Sequence, residues 1–311
     1  MKAKILIPVI IGTLILITVI IIFFILALKV PVVNKTYEVT NTFTNINIDV
    51  STSDIEFAVS EDSTVKVEVT ETPNKYHTIE VINGVLTVKC IDKRNFYEKF
   101  FNFKRDYKAT IYMPAVEYDN LTVKSSTGNV TIPEGFTFNK IDLKLNVGDT
   151  KIRSNVIDSA SFILSTGNAD IADMTLNIFY ISSSVGDITL NNIIAQETIT
   201  VASSTGDTTL NNIKCKSLDV TSSTGNIELT DTIADDTIAL SASVGDIFIN
   251  DSDAGTINIK TSTGDVNGTF LTNKIIFAET ELGNVNVPHL TTGGKCKIKT
   301  STGDIKISIK E

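Results

Sequence analysis

Between Ser182 and Ile193 the chain reads SSSVGDITLNNI, and between Ala202 and Ile213 it reads ASSTGDTTLNNI. A phrase rewritten after so short an interval constrains the fold strongly. A unit of this size cannot bury its own apolar face and must stack on its neighbours. Indexed by its glycine, the phrase stands at Gly128, Gly148, Gly167, Gly186, Gly206, Gly225, Gly245, Gly264, Gly283 and Gly303, always 19 or 20 residues apart. The residue before the glycine is Thr, Val or Leu, and the residue after it is Asp or Asn. Glycine followed by Asx marks a turn, because both accept left-handed backbone and the Asx side chain bonds nearby amides.

Alternation flanks each turn. Ile188/Leu190, Ile227/Leu229 and Ile247/Ile249 follow it, and Ile199/Val201, Leu218/Val220 and Ile238/Leu240 precede it. Period two is the strand signal, with one face apolar. Each repeat therefore reads as a strand, an S-[TV]-G-[DN] corner, a short strand and a second corner such as Asn191-Asn192 or Asn211-Asn212. The expected class is all-β: a parallel β-solenoid, or single-stranded β-helix, of about ten 19–20-residue repeats. One repeat per coil gives a rod of about 48 Å, and two repeats per coil give half that. A β-sandwich is the competing architecture, but sandwiches rarely keep so fixed a period.

Before the repeats, Ile5 to Leu28 carries no charge over 24 residues, about 36 Å as a helix and enough to span a bilayer. Leu26-Ala27-Leu28 is a poor cleavage site, which favours an uncleaved transmembrane α-helix over a secretory signal. Lys2, Lys4 and the amino terminus place the N-terminus in the cytoplasm and the rest outside the cell membrane. The organisation expected is a cytoplasmic N-terminus at 1–4, a span at 5–28, a linker at 29–40, an N-terminal β section at 41–115 and the solenoid at 116–311. In the β section, Ser53 stands where a degenerate first repeat would carry its glycine, and Asn83-Gly84 signals a hairpin.

Residues 92–108, DKRNFYEKFFNFKRDYK, interrupt that section. Phe96, Phe100, Phe103 and Tyr107 fall at helical spacing, with Lys99 and Lys104 among them, and Asn95 with Glu98 forms a capping-box pattern. Two readings stay open: a contact with lipid headgroups or a partner, or a cap over the open end of the solenoid. At the other end Lys295, Lys297 and Lys299 alternate, as lysines do when they protect an edge strand.

The net charge of −9 argues against nucleic acid as a partner. Cys90, Cys215 and Cys296 are distant in sequence and odd in number, so small buried hydrophobes are expected rather than a disulfide framework. His77 and His289 both read as surface residues. No nucleophile–base spacing or phosphate loop stands out. The best chemical candidate is the Asx column after the glycines. Calcium could bridge Asp187/Asp207 or Asp246/Asp265 with hard oxygen ligands. The plainer reading is that these side chains satisfy corner amides, with no metal and no cofactor. A glycan-cleaving β-helix would need clustered acids and aromatics, yet from Asp119 on the only arginine is Arg153. An ice-binding threonine face is interrupted by Val147, Val185, Val244 and Leu282.

The S-[ST]-[TV]-G-[DN]-[IV] repeats, preceded by FTNINIDVSTSDIEF (Phe43–Phe57) and IYMP (Ile111–Pro114), resemble the bacterial "putative adhesin" family, a domain of unknown function with β-strand repeats. The resemblance covers about residues 40–311. It implies a β-solenoid displayed outside the membrane of the cell envelope, in some members linked to envelope stress, with no known enzymatic activity. It brings no ligand residues, and the 92–108 insertion departs from its pattern. The expectation is a non-enzymatic, membrane-anchored, adhesin-like or envelope-sensing cell-surface module, whose partner is a cell-wall polymer or another envelope protein. The alternative is a tethered scaffold or regulator acting through residues 92–108.

Overall fold

A computed structural model describes residues 3–28, 31–96, 98 and 107–310. Helix α1 covers Ala3–Leu28, and its described side chains run from Ile10 to Phe23, exposed on every side. That stretch is about 21 Å long at 1.5 Å per residue. No helix among the described residues is long and apolar enough to cross a membrane. After α1 the described residues are built of β-strands, apart from helical positions at Phe96 and Glu98.

The repeats form a parallel solenoid in which one repeat is one coil. Thr189 pairs with Thr209 and Val201 with Val220, so the register advances by 19 or 20 residues per coil. The two-repeat coil is thereby excluded. Each coil contributes to two faces. The longer strand before the glycine builds the first face, and the short strand after it builds the second. Inward residues interleave between them: Ile188, Leu190, Ile199, Val201, Ile227 and Leu229 are fully buried. Aromatic side chains fill the wider N-terminal part, where Phe57, Phe136 and Phe138 meet edge to face or tilted at 6.0–6.4 Å.

The N-terminal section consists of β1 (Val33–Val39), β2 (Asn45–Thr52), β3 (Asp54–Val59), β4 (Val65–Glu71), β5 (Lys75–Ile82), β6 (Val85–Asp92) and β7 (Lys108–Met113). The first regular coil follows as β8 (Glu117–Thr127) and β9 (Val130–Ile132). Asn83 and Gly84 both have positive φ, 51° and 75°, which is the hairpin geometry that pairs β5 with β6. The β2–β3 pair is a coil with Ser53 at its corner, in register with β8 and β9.

Coil order departs from chain order at both ends. At the N-terminal end β2 lies between β6 and β8, and β3 lies between β7 and β9. The antiparallel strands β4 and β1 then close the second face. At the C-terminal end strand Gly294–Thr302 lies between Ile247–Thr263 and Lys274–Leu282. Strand Ile305–Ile309 likewise lies between Val266–Phe270 and Val285–Asn286. Lys295, Lys297 and Lys299 are therefore inside the sheet, and their reading as edge protectors is corrected. The edge strand is Lys274–Leu282. Sequence period sets the length of a coil but not which coil stacks on which.

Candidate functional site

The repeated corner is the one feature present in every coil. Its glycines have φ of 131–151°, a region that disfavours side chains, but the closer constraint is stacking. A Cβ on Gly206 would sit 2.3 Å from the Gly186 carbonyl oxygen, and one on Gly167 would sit 2.0 Å from that of Gly148. Corner backbones of successive coils touch, and only glycine permits the approach.

The Asx column does the rest. Asp54 Oδ1 accepts the Asn129 amide at 2.7 Å, Asn129 Oδ1 accepts Asp149 N at 2.8 Å, and Asp187 Oδ1 accepts Asp207 N at 2.9 Å. The ladder continues unbroken in spatial order through Asp246, Asp265 and Asp304 to Asn284. Each side chain thus satisfies an amide of the next coil. Asp187, Asp207, Asp246 and Asp265 each commit Oδ1 to this bond. No group of three or more His, Cys, Asp or Glu side chains among the described residues is placed to hold a metal. At the opposite corner Asn192 and Asn212 adopt left-handed backbone, and Asn212 Nδ2 donates to Asn192 Oδ1 at 2.8 Å.

Outside the glycine column the corner presents two columns of hydroxyls. Ser126, Ser165, Ser184, Ser204, Ser223, Ser243 and Ser262 are exposed, and so are Thr127, Thr166, Thr205, Thr224, Thr263 and Thr302. None of these hydroxyls makes a hydrogen bond among the described residues. Inward Ser203 and Ser222, by contrast, turn back to the carbonyls of Gly206 and Gly225. The ridge is therefore a line of donors and acceptors on most coils, about 4.8 Å apart where consecutive coils carry them and broken at Asn146-Val147 and Glu281-Leu282.

The N-terminal end holds a buried polar cluster. His77 is 3% exposed, which corrects its surface reading, whereas His289 is exposed. Residues Lys75 and His77 occupy inward positions of β5, where the alternation predicts apolar side chains. His77 Nδ1 lies 3.4 Å from Glu71 Oε1, too poorly aimed for a hydrogen bond, and neither ring nitrogen has a hydrogen-bond partner among the described residues. Burial holds the imidazole below its ordinary pKa, against the opposing pull of Glu71. Burial alone would raise Glu71, but the Lys35 ammonium at 2.8 Å and the His77 amide outweigh it and lower it. Lys75 is pushed down to about 8 by burial. Its Nζ donates to the Thr52 carbonyl and lies 3.3 Å from the centroid of the Tyr107 ring.

Of the 92–108 residues singled out from sequence, Phe100, Phe103, Lys99 and Lys104 lie outside the described residues. Phe96 is 74% exposed. Tyr107 is 4% exposed, covered by Lys75 and by Arg94 at 5.1 Å, so its reading as a partner or lipid contact is corrected. The cap bond Glu98 N to Asn95 Oδ1 forms at 2.8 Å, but the Glu98 carboxylate reaches Asn74 rather than back to Asn95. Cys215 and Cys296 are buried and Cys90 is half-buried, and all three are free thiols.

Residues 43–232, 170–287 and 196–311 match the family model described as Toastrack DUF4097. No protein of curated function matches in sequence. Among solved structures, a "putative adhesin" from Bacteroides fragilis is 17% identical over 90% of this chain and 97% of its own, with a TM-score of 0.40. A "putative adhesin" from Parabacteroides distasonis is 16% identical over 89% and 98%, with a TM-score of 0.35. A "putative lipid binding protein" from the same organism is 16% identical over 89% and 97%, also with a TM-score of 0.35. At these identities no residue role carries across.

Proposed function

The chain belongs to the Toastrack DUF4097 family, and from that premise we propose that it is a non-enzymatic binding module of the cell envelope, adhesin-like or envelope-sensing. In this reading α1 anchors it in the membrane and the solenoid stands outside. The observation that carries the reading is the ridge of exposed Ser and Thr hydroxyls, which make no hydrogen bond among the described residues. A polymer lying along such a ridge meets many weak hydrogen-bonding sites at one spacing, and repetition converts weak sites into avidity. The anchor is supported by the 24 uncharged residues from Ile5 to Leu28 and by a helix whose described apolar side chains are exposed on every side, a condition that suits lipid rather than water. The non-enzymatic reading is supported by the closure of the Glu71–His77 pair to solvent, both residues being 2–3% exposed.

The test is sedimentation of the full chain, in non-ionic detergent, with purified cell wall. Replacing Ser184, Ser204, Ser223 and Ser243 by Ala removes hydroxyls without touching the core. The expected result is weaker pelleting of this variant at unchanged circular dichroism. Equal pelleting would remove the ridge from consideration. Phe96 favours a second reading, a tethered scaffold or regulator of an envelope partner, because a 74% exposed phenylalanine among basic residues suits a lipid or protein surface. Loss of association with anionic vesicles in Phe96→Ser, with wall binding absent, would select it.

A further inference from the structure

Four lysines gather on the outward side of the first face near its C-terminal end. Lys295, Lys297 and Lys299 stand on alternate positions of one strand, and Lys260 faces Lys299 across the next. In a chain of net charge −9 this is a concentration of one sign. Like charges directly opposite in a sheet cost stability, and their protective role disappears once strand Gly294–Thr302 is found inside the sheet. Among the described residues Lys299 alone of the four is ion-paired, with Glu279 at 2.9 Å. Lys260, Lys295 and Lys297 make no ion pair among the described residues, and all three are exposed.

Lys260, Lys297 and Lys299 border a depression of about 560 Å³, and Lys295 stands next along the strand, outside its lining. The depression exists because the neighbouring coil carries small outward residues: Ala239 lies opposite Asn258, and Ser241 opposite Lys260. Asp219, exposed and in no ion pair among the described residues, forms the far wall beyond Ala239. The surface thus combines ammonium groups on one side with an acid, an amide and a hydroxyl on the other. A ligand that satisfies both sides carries negative charge at regular intervals and hydroxyls between. Alternate residues of a strand are about 6.8 Å apart, which is close to the spacing of successive charges in a three-carbon polyol joined by phosphodiesters.

We infer that this depression is the seat of a phosphodiester-linked polyol polymer of the envelope. Its phosphates lie on Lys297, Lys299 and Lys260, with Lys295 next along the same strand, and its hydroxyls face Ser241, Asn258 and Asp219. The inference rests on the binding-module reading and names the ligand class for it. A polymer is chosen over a lipid headgroup because the site stands ten strands from β5, about 48 Å along the rod, whereas the section that begins with β1 follows the proposed anchor.

The test uses the full chain in non-ionic detergent with poly(glycerol phosphate), polygalacturonate and vesicles containing phosphatidylglycerol. Two variants attack the site differently: Lys260→Gln with Lys297→Gln removes charge, and Ala239→Gln fills the depression at constant charge. Lys124→Gln with Lys144→Gln makes the same charge change at the far end of the same face. The expected result is poly(glycerol phosphate) binding that weakens about tenfold or more in both site variants, falls with added salt and persists in the distant control. Equal binding by all three variants overturns the inference, as does a preference for polygalacturonate or for vesicles. If wild type binds cell wall but not poly(glycerol phosphate), this inference fails alone. If it binds neither, the binding-module reading fails with it.

Discussion

Replacing Gly206 with Ala tests whether the corner glycine is required by turn geometry or by stacking. The new Cβ would lie 2.3 Å from the Gly186 oxygen and 2.6 Å from its carbonyl carbon. Relief requires the two coils to part by roughly 1 Å, since such contacts settle near 3.2 Å. Three bonds cross that gap: Gly186 N to Thr205 O, Ile188 N to Asp207 O, and Asp207 N to Asp187 Oδ1, each 2.9 Å. Stretched by that amount they are lost, at about 1 kcal/mol each. The backbone at φ 132° adds about 1–2 kcal/mol. The expected destabilisation is about 4–5 kcal/mol. Gly84→Ala supplies the comparison, because its φ is also positive, at 75°, yet nothing lies within 4 Å of its Cβ. It should cost only the conformational part, about 1–2 kcal/mol. Urea unfolding of the full chain in detergent, followed by circular dichroism, reads both. Equal shifts in midpoint would refute the stacking argument and return the glycine to an ordinary turn residue.

Asp207→Asn keeps the acceptor for Asn226 N, 2.8 Å away, and should leave stability nearly unchanged. Asp207→Ala should lose about 1–2 kcal/mol in the same unfolding assay. A similar loss in both would mean that charge, not the acceptor, matters there, and a calcium-dependent rise in midpoint abolished by either would reopen the metal reading. Acidification should loosen the N-terminal cap, where Lys35, Tyr37, Glu71 and Lys75 surround His77. His77 has its folded pKa below the unfolded value of 6.5, so the unfolded state binds more protons as pH falls through that range and stability drops. Glu71, also lowered, continues the loss below its ordinary 4.5. Hydrogen exchange of β4 and β5 at pH 7 and pH 5 measures this, and unchanged protection in wild type, or the same acceleration in His77→Phe, would contradict it. Removal of Gly294–Glu311 should release Lys274–Asn286 as well, since among the described residues those strands pair only with the removed ones. Retained exchange protection across Lys274–Asn286 would show that the edge holds without its inserted neighbour.

Most of the solenoid was legible because the period is regular and the corner chemistry is local. Gly-Asx marked each turn, alternation marked each strand, and even the coil cornered at Ser53 kept its phase. What escaped depended on relations between coils. Nothing in residues 294–302 says that they enter a slot between strands written earlier, so the lysines there were read as an edge. The glycine was expected for its φ, whereas its close approach to the carbonyl of the neighbouring coil appears only when coils stack. His77 and Lys75 defeated the reading differently. Polar side chains at inward strand positions break the hydrophobic pattern, and their burial is explained by Thr52, Glu71, Lys35 and Tyr107, from four other segments of chain. The ridge hydroxyls were visible as letters, but their lack of internal partners was not.

The first and last coils in sequence are not the end layers of the stack. A simple stacked coil unravels like thread from a spool, one turn at a time from a free terminus. Here the first coil in sequence is clamped between two that follow it, and the last has been slipped beneath its predecessor. Tension on the N-terminus would peel β1 from β4, then meet a coil hydrogen-bonded along both edges. Leaving would require tearing two seams at once. If the rod is held at one end by a membrane and at the other by a polymer, this clasp resists the pull, and the molecule can bear load along its axis before any turn is lost.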